Sequence, residues 1–175
     1  MSIQKDFYNS LYRNTNEKRD NVSYMQLADK FNSIMNCVGK DEEPLNILEI
    51  GCGDGFLTQF LLKEGVKVTS IDISSEAIKK LLEIFNRSVK NGDLSIVTAD
   101  ILSFLENSKA TYNIIIGSGI LHHIAGEHFS TLFELIYSRL SYGGCMVFIT
   151  ETNGKYKALW KNLAPLIYRF YNCDY

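Results

Sequence analysis

The chain has 175 residues, 46% of them hydrophobic and 22% charged, with 2 prolines. That length suits one domain on the usual scale of roughly 100 to 200 residues, and the composition excludes both a disordered segment and a fibrous one. The 18 Lys and Arg against 20 Asp and Glu leave a formal net charge of -2, which supplies no basic field for sequence-independent binding of nucleic acid.

Four cysteines, Cys37, Cys52, Cys145 and Cys173, form no CxxC pair and have no histidine at ligand spacing. Neither a metal site nor a disulfide framework is therefore expected. The N-terminus lacks a continuous apolar stretch, and no apolar run reaches membrane-spanning length. The expected location is the cytoplasm, with no membrane partner.

Phe7, Tyr8, Leu11 and Tyr12 give a short aromatic helix face near the N-terminus. A second helix carries Tyr24, Leu27, Ala28, Phe31, Ile34, Met35 and Val38 on one side, between a capping Ser23 and a stopping Gly39. The charged turn Gly39 to Pro44 then sets a boundary. Residues 1–43 are expected to form a helical cover, 44–154 a core, and 155–175 a C-terminal aromatic helix.

Within the core, short apolar runs alternate with helical patterns. Asn46 to Ile50 predicts a strand, Phe56 to Glu64 a helix, Val66 to Ile73 a strand, and Ile78, Leu81, Leu82, Phe85 and Val89 one helix face. Leu94 to Ala99 follows as a strand, Ile101 to Asn107 as a short helix, and Tyr112 to Ser118 as a strand. A helix bearing Phe129, Leu132, Phe133, Ile136 and Leu140 then leads through a Gly143-Gly144 turn to a strand at Cys145 to Thr150. Such alternation predicts an α/β fold with a doubly wound, mostly parallel sheet, whose ligands bind outside the carboxyl ends of the strands.

The first strand runs into Glu49-Ile50-Gly51-Cys52-Gly53-Asp54-Gly55-Phe56, which places glycines where the backbone turns sharply beside a helix N-terminus. A dinucleotide fingerprint would need glycine where Phe56 stands, and Glu49 would repel a pyrophosphate. Asp72 closes the second strand 21 positions after Gly51. Asp100 follows the third strand, so acidic residues recur at consecutive strand ends.

Glu49 to Gly55 resembles the first motif of the class I methyltransferases that use S-adenosylmethionine, a cofactor that carries no phosphate and is cationic at sulfur and amine. The likeness runs over roughly residues 44 to 154. It implies a Rossmann-like sheet in the order 3-2-1-4-5, with the last two strands of the family expected to be lacking. It also implies cofactor contacts from Glu49, Gly51, Cys52, Gly53 and Gly55. Asp72 would bind the ribose, Ile73 would pack on the adenine, and Asp100 with the Ile101 amide would meet the adenine edge. Ser118, in a segment running to Ile124, would line the methyl-donating end. Asn113 stands where the family commonly has an acidic or polar residue, and Glu151 to Gly154 is similar to a Glu-Pro-Asn segment of relatives.

Methyl transfer from a sulfonium needs alignment first, and for a hydroxyl or amine acceptor a base near neutral pKa. His122 and His123 are the candidates, while His128 reads as a surface residue. Tyr8 and Tyr12 belong either to a segment closing over the cofactor, as in similar proteins, or to a face packed on the sheet. The expected acceptor is a small molecule methylated at oxygen or nitrogen; the alternative is a silent cofactor-binding module of a larger enzyme or assembly. Tyr156, Trp160, Leu163, Ile167 and Tyr171 would expose an apolar patch beside an uncovered fifth strand. Self-association there as a homodimer, or completion by further sequence, is the expected remedy.

Overall fold

The computed structural model describes residues 5–10 and 44–149. The expected helix between Tyr24 and Val38, Tyr12, the Glu151 to Gly154 segment and the C-terminal aromatic helix lie outside the described residues. Five strands, β1 (Asn46–Ile50), β2 (Lys67–Asp72), β3 (Leu94–Thr98), β4 (Tyr112–Ser118) and β5 (Leu140–Ile149), form one sheet in the order β3-β2-β1-β4-β5. Every neighbouring pair is parallel. The helices are α1 (residues 5–10), α2 (Phe56–Lys63), α3 (Ser75–Ile84), α4 (Asn86–Asn91), α5 (Ile101–Asn107) and α6 (Phe129–Ser138). Among the described residues no helix is long and apolar enough to cross a membrane.

Helices on both faces explain why the central strands read as nearly continuous apolar runs. Ile47, Ile114 and Ile116 point into one core with Leu57, Phe60 and Leu61 of α2, spaced to fall on one helix face. Leu48, Ile50 and Ile115 alternate to the other, with Leu105 of α5 and Leu132 and Ile136 of α6. With the helices placed so, the carboxyl ends of β1 to β4 gather at one edge of the sheet, where Asp72 and Ser118 end their strands and Gly51 and Asp100 follow theirs.

Two elements differ from the sequence expectation. The helix read through Val89 is broken at Phe85, whose backbone (φ -106, ψ 22) ends α3 and starts α4. Phe85 packs against two apolar clusters, and its ring lies 2.9 Å from where a Cβ on Gly55 would stand. Gly143-Gly144 is no turn ahead of the fifth strand: β5 already begins at Leu140, and the pair sits inside it. Tyr112 faces Leu140 but Ile114 faces Cys145, so the strand swells into a bulge between these registers.

Candidate functional site

Asp72, the last residue of β2, ties the glycine loop to the second strand. Its Oδ2 accepts from the Gly53 amide at 2.9 Å, and its Oδ1 from the Ser74 amide at 2.8 Å. The Gly51 and Cys52 amides donate to the Ile71 carbonyl, so the loop is sewn to the end of β2 at several points. Gly53 has φ +50, a backbone state that glycine enters without strain. Burial raises the Asp72 pKa, opposed by these amide hydrogen bonds.

Glu49 has a different setting. It is 1% exposed, and its Oε2 accepts from the Thr58 hydroxyl of α2 at 2.5 Å and the Ser70 hydroxyl of β2 at 2.6 Å. Burial pushes its pKa up to about 7 in spite of both hydroxyls, and the Asp72 charge adds to the rise. Cys52 is buried with Ile78 and Leu81, and its thiol is raised chiefly by burial. Gly55 begins α2 against Phe85 and Leu81.

A cavity of about 600 Å³ opens at the strand ends. Of the expected site residues it brings together Tyr8, Gly51, Asp72, Ile73, Asp100, Ile101, Ser118 and His123. Glu49, Cys52, Gly53 and Gly55 are not among its lining residues; Gly53 reaches it through Asp72, and Glu49 braces the loop from the α2 side. Asp100 caps α5, its Oδ1 accepting from the Ser103 amide at 3.1 Å. His123 ends the 3-10 turn Leu121–His123, which also contains His122. The Tyr8 hydroxyl lies 2.5 Å from its Nδ1.

Several residues in or beside the cavity were missed from sequence. Ser103 and Glu106 stand three and six positions after Asp100, a helical spacing that could have revealed them. His128, read as a surface residue, is half exposed, 3.8 Å from Glu127, and also lines the cavity. Asn9 had no local signal: its Oδ1 accepts from the Ser74 hydroxyl at 2.8 Å, across 65 positions. Among the described residues, no group of three His, Cys, Asp or Glu side chains is placed to hold a metal ion.

The donor set suits a ligand rich in hydroxyls and amines, and cationic rather than phosphorylated. Asp72, with one amide bond on each oxygen, and Asp100, with one amide bond in all, still offer carboxylate lone pairs, while Ile73 and Ile101 give apolar surface in the same cavity. S-adenosylmethionine fits this chemistry.

Residues 47–144 match the family described as "Methyltransferase domain". A malonyl-[acyl-carrier protein] O-methyltransferase of Priestia megaterium is 30% identical over 119 residues, 67% of this chain and 40% of that protein. An rRNA adenine N-6-methyltransferase of Lysinibacillus sphaericus is 34% identical over 125 residues, 67% of this chain and 49% of that protein. Among solved structures, magnesium protoporphyrin IX methyltransferase from Synechocystis PCC 6803 with bound SAH superposes with a TM-score of 0.65 at 18% identity, covering 94% of this chain and 78% of that one. The chain belongs to the class I S-adenosylmethionine-dependent methyltransferases. It spans about half the length of the curated relatives it matches.

Proposed function

We propose that this protein transfers a methyl group from S-adenosylmethionine to oxygen or nitrogen of a small-molecule acceptor in the cytoplasm, with residues 44–154 as the catalytic core and residues up to 43 as its cover. The observation that carries the reading is that one cavity gathers acidic residues from successive strand ends together with an imidazole. In this reading Asp72 accepts from the ribose hydroxyls, Asp100 and the Ile101 amide meet the adenine edge, and Ile73 packs on its face. Gly51 and Ser118 border the remainder. The bound cofactor supplies an activated methyl group on a cationic sulfur. The protein's part is alignment, exclusion of water and removal of the acceptor's proton, the last assigned to His123 as general base. Its neighbour His122 is the second candidate for that task.

The O-methyltransferase named among the relatives favours an oxygen acceptor. A second reading, methylation of adenine in ribosomal RNA, draws on the Lysinibacillus relative, but the net charge of -2 gives RNA little general attraction. Incubation with methyl-labelled cofactor and, separately, a small-molecule metabolite fraction or total RNA tests these readings. Label in the metabolite fraction is the expected result. Label confined to RNA would overturn the small-molecule reading, and cofactor binding with no transfer to either would identify a silent module.

A further inference from the structure

Tyr8 extends from α1 into the cavity, where its hydroxyl meets Nδ1 of His123 at 2.5 Å and the two rings stand edge to face, 5.2 Å apart at 82°. Asn9, the next residue, fastens the same helix to the opposite side, accepting from the Ser74 hydroxyl at 2.8 Å and the Glu76 amide at 3.4 Å. The short helix thus reaches from the loop after β2 to the turn after β4, and it holds Tyr8 between them.

A neutral imidazole has one N–H and one lone-pair nitrogen. Of the two ways to join a phenol to it, O–H donating to nitrogen is the stronger, because phenol is the better donor and imidazole nitrogen the better acceptor. Burial first, and the charge of Asp72 second, raise the Tyr8 pKa and keep the phenol protonated. A Tyr8 hydroxyl that donates to Nδ1 leaves the ring's own proton on Nε2 and sets the basic nitrogen of His123 behind the Tyr8 oxygen.

We propose that Tyr8 is the entrance of a two-residue proton relay in which His123 acts on the acceptor through the Tyr8 hydroxyl. The inference rests on the reading of this cavity as a methyl-transfer site. As the acceptor's lone pair takes the methyl group, its O–H or N–H bond breaks and that proton forms a new O–H bond on Tyr8. The original Tyr8 O–H bond breaks in concert and a bond to Nδ1 forms, leaving an imidazolium that later releases its proton to solvent. The relay serves acceptors with a proton to lose, hydroxyls and amines; a carboxylate that is already ionised would be methylated without it.

The test is nitrogen NMR of the full chain labelled with 15N-histidine and saturated with S-adenosylhomocysteine, with His123 signals assigned from His123→Gln and binding followed by calorimetry. The wild type should show neutral His123 protonated on Nε2 with a hydrogen-bonded Nδ1. Tyr8→Phe keeps the ring and removes the hydroxyl; it should move the Nδ1 signal and mix the tautomers while holding the dissociation constant within about threefold. His123 protonated on Nδ1 in the wild type, or unchanged signals in Tyr8→Phe, would overturn the relay with the methyl-transfer reading intact. A loss of affinity of tenfold or more in Tyr8→Phe would make Tyr8 a cofactor-binding residue and overturn the relay too. Failure of the wild type to bind S-adenosylhomocysteine would instead overturn the underlying reading, and the relay with it.

Discussion

Glu49 shows how one carboxyl can belong to a motif and yet serve the scaffold. Fully buried between Thr58 and Ser70, it spans β1, β2 and α2 just before the glycine loop turns. Its pKa rises from an ordinary 4.5 to about 7, chiefly through burial. Between those values the folded chain keeps a proton that the unfolded chain has released. The contribution of Glu49 to stability should therefore be greatest below pH 4.5, fall as pH rises toward 7, and level off above it, a loss of about 3 kcal/mol from this group. Glu49→Gln keeps an oxygen to accept from both hydroxyls and cannot ionise. Urea titrations from pH 4.5 to 8 should show a shallower fall for the variant and a higher midpoint than wild type at pH 8. Parallel curves for the two proteins would place the pH dependence elsewhere.

The β4–β5 pairing is the element whose chemistry was hardest to read. Gly143-Gly144 signals a reversal of direction in any one-dimensional reading, and only the partner strand shows that it is a bulge within β5. Gly143 has φ +73, and a Cβ on Gly144 would lie 2.9 to 3.1 Å from the backbone oxygens of Asn113, Ser141 and Tyr112. Three carbonyls fixed in a strand pair have little room to yield. Gly144→Ala should cost about 1 to 3 kcal/mol, seen as a lower urea midpoint at unchanged slope; an unchanged midpoint would show that the bulge relaxes freely. The break at Phe85 escaped sequence reading for a similar reason. Its apolar spacing fits a continuing helix, whereas its ring is claimed by clusters that include Cys52 and Leu45, residues far away in the sequence.

Across the whole molecule, the legible features are those set by local pattern and strand polarity. Alternating strand and helix periods give the doubly wound sheet, and winding alone puts Gly51, Asp72, Asp100 and Ser118 at one edge. What closes that edge comes from contacts across long stretches of chain. The Tyr8 to His123 bond spans 115 positions and the Asn9 to Ser74 bond 65, and no periodicity reports either. The aromatic face of α1 was visible, but its seat over the cavity was not separable from packing on the sheet.

The central claim is that the strand-end cavity binds the S-adenosyl group through Asp72. Calorimetric titration of the full chain with S-adenosylhomocysteine, in parallel with Asp72→Ala, tests it most directly. The account predicts one ligand per chain for the wild type and an affinity lowered by about 1 to 3 kcal/mol in the variant, through hydrogen bonds lost to the ligand and to the glycine loop. A folded wild type that gives no heat with S-adenosylhomocysteine but binds a nicotinamide dinucleotide, or an Asp72→Ala protein that binds as the wild type does, would contradict it.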